Sequence, residues 1–206
     1  MIKSFFPKIA GTGLVWLMLA AGQSRGGTAV NPVTLEKSTY VSEDVQICFN
    51  AVEGTYREIR ACTRLLGKTG PRAALRSDIH VRRGLLYLGA RRFDKAGQDF
   101  AAAAGYDDTN EFACLGKGFV ALSQQDHAAA LSGFDDCRMH SMTAPLAVYG
   151  RGAARELSGD LAGAKQDYGR AARMKTGWEA PLRALARLET GSKRIVSRHR
   201  PQQHGR

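Results

Sequence analysis

Four residues of one segment recur twice, each time 34 positions on and without a gap. Gly84, Ala96, Phe100 and Ala103 are followed by Gly118, Ala130, Phe134 and Cys137, and these by Gly152, Ala164, Tyr168 and Ala171. A fixed period of roughly 20–50 residues marks stacked units, each too small to bury its own apolar face alone. The residue types fit that reading. Two antiparallel helices approach closely only where small residues face each other, which accounts for Gly on one and Ala on the other. An aromatic one turn beyond the Ala then fills the space between successive units. Short breakers, Ala90-Arg91-Arg92, Gln125-Asp126 and Ser158-Gly159-Asp160, separate the helical stretches. Long runs of Ala, Leu, Arg and Gln favour helix, and few alternating β-branched runs are present to build a sheet.

The pattern of small residue, Tyr three positions on, then A-x3-F and a further Ala resembles the tetratricopeptide repeat (TPR) family. Gly84, Tyr87, Ala96, Phe100 and Ala103 carry the best match, and the repeats span residues 77–110, 111–144 and 145–178. The family's Trp near the repeat start and Pro near its end are absent, and Tyr87 becomes Ala121 and Arg155. The resemblance implies an all-α fold, a right-handed superhelical solenoid of antiparallel helix hairpins. A finer resemblance is to exported bacterial repeat proteins with Arg-Gly in the first helix and Asp-aromatic in the second. Arg83-Gly84 with Asp99-Phe100, and Arg151-Gly152 with Asp167-Tyr168, fit it. In an antiparallel hairpin the residue before the Gly lies near the one before the aromatic, so Arg83–Asp99 and Arg151–Asp167 ion pairs are expected. Partly exposed, each contributes ~0.5–1 kcal/mol. Lys117 faces Gly133 in the middle repeat, and no pair is expected there.

The first residues read separately. Lys3 and Lys8 precede the apolar run 9–21 (IAGTGLVWLMLAA), and Ala20-Ala21-Gly22 offers the small residues of a cleavage site. The run is shorter than the roughly 20 residues of a membrane span, so residues 1–22 are expected to be a cleaved signal peptide of an exported, periplasmic protein. Residues 23–41 look like a flexible linker. In an oxidising compartment the four cysteines should pair, and four allow three pairings. Residues 42–52, with Ser42 as N-cap, and 56–66 read as an N-terminal capping hairpin within 42–70. Cys48 and Cys62 lie at comparable distances from its turn, so a bridge there would staple it. Cys114 and Cys137 sit on the two helices of the middle repeat, where a bridge and two buried thiols are both open. Residues 179–190 read as a C-terminal capping helix stopped by Gly191, with Leu182, Leu185 and Ala186 on its apolar face and Trp178 beneath. Residues 191–206 form a basic tail expected to be disordered.

The formal net charge of +11 falls to 11 − 2 = +9 without Lys3 and Lys8. Such a balance favours acidic proteins or anionic surfaces as partners. In the TPR family, ligands lie along the inner groove lined by first helices. Carried over, that groove is Asp78, Val81, Arg82, Leu85 and Leu88, then Phe112, Leu115, Phe119 and Leu122, then Leu146, Tyr149, Ala153 and Glu156. Its apolar character suits a helix or extended peptide; the alternative is that the N-terminal hairpin or the tail covers several of these residues. The family's carboxylate clamp cannot be built, because the matching places hold Val81, Leu85, Phe119, Leu146 and Gly150. No paired carboxylates, phosphate-binding loop or nucleophile elbow is present. Cys137-x-x-His140 lacks a second pair, so neither a metal nor a cofactor is expected. Nucleic acid is not expected either, since the arginines are scattered and not interleaved with aromatics. The expected function is a periplasmic scaffold that binds proteins or peptides through its concave groove, without catalysis. The alternative is an electrostatic adaptor that docks on an anionic membrane surface or polyanion through the basic tail.

Overall fold

A computed structural model describes residues 39–70, 72–137 and 143–198. The leader, most of the linker, His140 and residues 199–206 lie outside them. Among the described residues the chain is all-α, with nine helices and no strand. They are α1 (Thr39–Phe49), α2 (Tyr56–Lys68), α3 (Ala73–Gly89), α4 (Phe93–Tyr106), α5 (Glu111–Ser123), α6 (His127–Asp135), α7 (Ala144–Ser158), α8 (Leu161–Met174) and α9 (Glu179–Arg198). Each helix packs on its neighbour in the chain, and α3 also touches α5, which touches α7. None is long and apolar enough to cross a membrane.

The three hairpins turn in the same way. Arg91, Gln125 and Gly159, spaced by 34, all take positive φ (59°, 65° and 93°). After each, an amide reaches five residues back: Arg92 to Tyr87, Asp126 to Ala121 and Asp160 to Arg155, at 2.8–2.9 Å. Asp126 and Asp160 then cap the following helices by accepting from Ala129 N and Gly163 N, whereas Arg92 gives α4 no side-chain cap.

Aromatics interlock the units. Phe100 of α4 lies against Gly84 of its own hairpin and Gly116 of the next, and Phe134 of α6 lies against Gly118 and Gly150. A Cβ on Gly118 would stand 2.8 Å from the Phe134 ring, and one on Gly152 would stand 2.9 Å from Tyr168. Phe100, Phe134 and Tyr168 are buried in one apolar cluster with Ala96, Ala130 and Ala164, reaching from Val81 to Leu188.

Polar side chains tie successive units. Asn110 caps α5 by accepting from Phe112 N and Ala113 N, while its Nδ2 donates to Ser77 Oγ (3.0 Å) and Asp78 Oδ1 (3.1 Å). Thirty-four residues after Ser77, Glu111 takes the equivalent link by accepting from Thr143.

The N-terminal hairpin has its own core, with Cys48, Ile59, Ala61, Cys62 and Leu65 packed on Ile79 and Leu86 of α3. A capping box of Thr55 and Glu58 starts α2. Gly54 takes φ 73°, and a Cβ there would stand 2.6 Å from the Leu86 carbonyl oxygen, so the turn sits directly on α3. Cys48 is bonded to Cys62, and Cys114 to Cys137. Chain entropy assigns a bridge over a loop of this size about 3 kcal/mol.

Helix α1 begins at Thr39, so Ser42 is inside the helix and is not its N-cap as expected. Helix α3 begins at Ala73 and runs into the span 77–110 of the first repeat. Helix α9 runs on to Arg198, so neither the stop at Gly191 nor a fully disordered tail holds. An isolated Gly costs a helix only about 1 kcal/mol, and no Pro follows until Pro201. Within α9, Pro181, Ala184 and Leu188 are the buried residues, while Leu182 is 54% exposed and Ala186 is also exposed.

Candidate functional site

The first-helix face expected to form an open groove is filled. Val81, Arg82, Leu85 and Leu88 of α3, Phe112, Leu115, Phe119 and Leu122 of α5, and Leu146 and Tyr149 of α7 are all buried. Phe119 meets Phe134 edge-on with centroids 4.8 Å apart, and Tyr149 contacts both Tyr168 and Trp178 at 5.3 and 5.1 Å. The physical reason is the glycine series. Gly84, Gly116, Gly118, Gly150 and Gly152 let the rings of the second helices reach deep among the first helices, so the apolar residues there become core. These residues cannot serve as an accessible docking strip. Asp78, Ala153 and Glu156 are half-buried.

The polar members of that set are engaged within the chain. Arg82 belongs to the series Arg82, Gly116, Gly150, Ala184, whose glycines face the preceding unit's aromatic. Its Nη2 accordingly donates to the Phe49 carbonyl of α1 (2.5 Å), with the guanidinium 5.8 Å from the Phe49 ring centroid. Burial lowers the Arg82 pKa from its ordinary value, and Asp78 only partly opposes this. Asp78 accepts from Asn110. Glu156 accepts from Tyr168 Oη (2.7 Å) and from Arg187 Nη2 of α9 (2.7 Å), and so fastens α9 to the third hairpin. Burial, and then the bond to Glu156, raises the Tyr168 pKa well above the phenol range.

The Arg–Asp sites also hold the fold together. Arg83 donates from Nε and Nη2 to the buried Asp99 carboxylate, both at 2.8 Å, and its Nη1 reaches Thr63 Oγ1 of α2 (3.0 Å). His80 Nδ1 approaches the same carboxylate at 2.8 Å, with its ring stacked on Tyr106. Arg151 repeats the device with Asp167 (2.9 and 2.7 Å) and reaches Asp135 of α6 (2.6 Å), while Arg155 also donates to Asp167 (2.8 Å). The Asp99 hydrogen bonds raise the Arg83 pKa, and those of Asp167 raise that of Arg151. In the middle hairpin Gly133 stands where the Asp would be. A Cβ there would lie 3.1 Å from Gly118 Cα, so close backbone contact and the Cys114–Cys137 bond hold that hairpin instead.

No grouping of His, Cys, Asp or Glu among the described residues could hold a metal ion. Large apolar side chains do remain at the surface, namely Tyr56, Tyr106, Leu157, Leu161, Met174 and Leu182. Of these, Leu182 continues the repeat. Adding 34 to Gly150, Gly152 and Val148 gives Ala184, Ala186 and Leu182. Ala184 and Ala186 stand where the earlier units have Gly, which masks this fourth step in the sequence. No protein-family model, curated protein or solved structure matches this chain.

Proposed function

We propose that this chain is an exported, periplasmic scaffold of the tetratricopeptide type, three hairpins in a right-handed solenoid behind a signal peptide. Its work is to bind other proteins rather than to catalyse. The observation that carries this reading is the aromatic–glycine interlock, which returns every 34 residues with the same turn geometry. A stack built in this way gains area one unit at a time and uses it as surface. The buried carboxylates support the same reading. Asp44, Asp99, Asp167 and Glu111 each accept from side chains of the fold, which favours a structural over a catalytic use. Two disulfides suit an oxidising compartment. Because the first-helix face is core, binding falls to the surfaces left outside it.

The second reading, an electrostatic adaptor working through the basic tail, rests on the net charge of +11. Crosslinking capture from the envelope fraction separates the two, using the chain from Gln23 with and without residues 192–206. A discrete protein partner retained after truncation and at raised salt supports the scaffold. Capture lost under both conditions supports the adaptor, because attraction between exposed charges fades as salt rises. Capture of no protein at all would overturn the scaffold reading.

A further inference from the structure

The contacts inside each hairpin define which first-helix positions face the second helix. They are His80 and Arg83 against Asp99, Cys114 against Cys137, Arg151 against Asp167, and Gly84, Gly118 and Gly152 against Phe100, Phe134 and Tyr168. The three positions are therefore 80/114/148, 83/117/151 and 84/118/152. One more step of 34 places Leu182, Leu185 and Ala186 there on α9.

Helix α9 packs on α8 as α5 packs on α4, with Ala184 and Leu188 buried against the stack. It is thus the first helix of a fourth unit. No second helix follows it among the described residues, and the face that would receive one is open: Leu182 is 54% exposed, Leu185 half-buried and Ala186 exposed.

We propose that this face of α9 docks an amphipathic helix of a partner protein, which takes the place that a second helix holds in the other three units. The inference rests on the scaffold reading above and names its surface. Its chemistry follows from the register. The partner carries a small residue, a large apolar one four positions on, and a further small residue three positions beyond that. In the chain's own α6 this is Ala130-x3-Phe134-x2-Cys137, with Gly133 ahead of the ring. The residue before the large one faces Leu185, so it is small or apolar there and not the Asp that Arg83 and Arg151 demand. Ala186 also carries the Cβ that Gly84, Gly118 and Gly152 lack. A Cβ on Gly152 would come within 2.9 Å of the Tyr168 ring, so Leu fits over Ala186 where Phe or Tyr does not.

The test uses a peptide of residues 126–137 with Phe134→Leu and Cys137→Ala, stapled across its solvent side at positions 128 and 132. Its fluorescence anisotropy is titrated with the chain from Gln23. Saturable binding is expected. It should weaken roughly ten-fold in Leu182→Glu, whose circular dichroism is unchanged, stay the same in Tyr56→Ser, and be weaker for the peptide that keeps Phe134. No saturation, or equal binding by Leu182→Glu, overturns the proposal. Sedimentation velocity of the chain alone gives the remaining outcome. A monomer is expected, and a dimer dispersed by Leu182→Glu would assign the face to a second copy and sink the partner helix. Envelope capture without peptide binding would leave the scaffold standing and remove only this surface.

Discussion

Phe134 of the second hairpin occupies the space a side chain on Gly150 of the third would need. A Cβ on Gly150 would stand 2.5 Å from Phe134 Cζ and 2.7 Å from Cε1. The ring is 3% exposed and cannot swing aside. This contact joins one unit to the next, so it measures how strongly the stack coheres.

Gly150→Ala is therefore expected to destabilise the chain by about 2 kcal/mol in urea unfolding, despite Ala's better helix propensity, because the core must shift to admit the methyl. Gly105→Ala in α4, where nothing lies within 4 Å of the new methyl, is expected to stabilise by about 0.5–1 kcal/mol. Equal effects from both would mean that the interlock is loose.

The first hairpin turn can be improved by copying the third. Arg91 holds φ 59° where the third turn has Gly159, and Arg92 lies uncapped where Asp160 caps α8. Arg91→Gly should stabilise by about 1 kcal/mol. Arg92→Asp should add about 1 kcal/mol by supplying an acceptor to the first turn of α4. Thermal melts of the single and double variants check both.

Removing one member of a buried charge cluster should cost far more than removing an exposed one. Asp99 carries Arg83 in two bonds and His80 in a third, and its side chain is 5% exposed. Asp99→Ala strands both partners and is expected to lose about 3 kcal/mol. Asp135, 54% exposed beside Arg151, should lose no more than about 0.5 kcal/mol on Asp135→Ala.

Acid should loosen the N-terminal hairpin. The Arg64 hydrogen bond and Lys68 hold the Asp44 pKa below its ordinary 3.8, against the opposing effect of burial. A carboxylate with a lowered folded pKa contributes stability that is complete above the unfolded value and is lost as pH falls through the folded one. Stability should thus be flat from pH 7 to about 5 and decline below about 4. Asp44→Asn should be less stable at pH 7 and lose less on acidification, as read by melting temperature against pH.

Some of these features were legible in the residues, and the reason is local. Helix in place of sheet follows from spacing within one or two turns of chain, the pairs Arg83 with Asp99 and Arg151 with Asp167 from positions matched across one hairpin, and the period from spacing of 34 along the sequence. The fate of the first-helix face was not legible. Phe119, Leu115 and Tyr149 would look alike in sequence whether they lined an open groove or a closed core. The choice depends on how far the glycines let neighbouring helices and rings approach. Arg82 and Glu156 look like surface charges in sequence and are drawn in by Phe49, Tyr168 and Arg187, residues 12–33 positions away.

The sequence by itself determined that the chain is helical, that it repeats at 34, and that Arg83 and Asp99, like Arg151 and Asp167, meet across their hairpins. Those outcomes need only the helical period and the size or charge of a side chain. The tertiary structure alone decided which faces are buried. Burial is a property of the assembled stack: Ala184 is buried because α8 lies against it, and Leu182, on the same helix, is exposed because no second helix among the described residues lies against it.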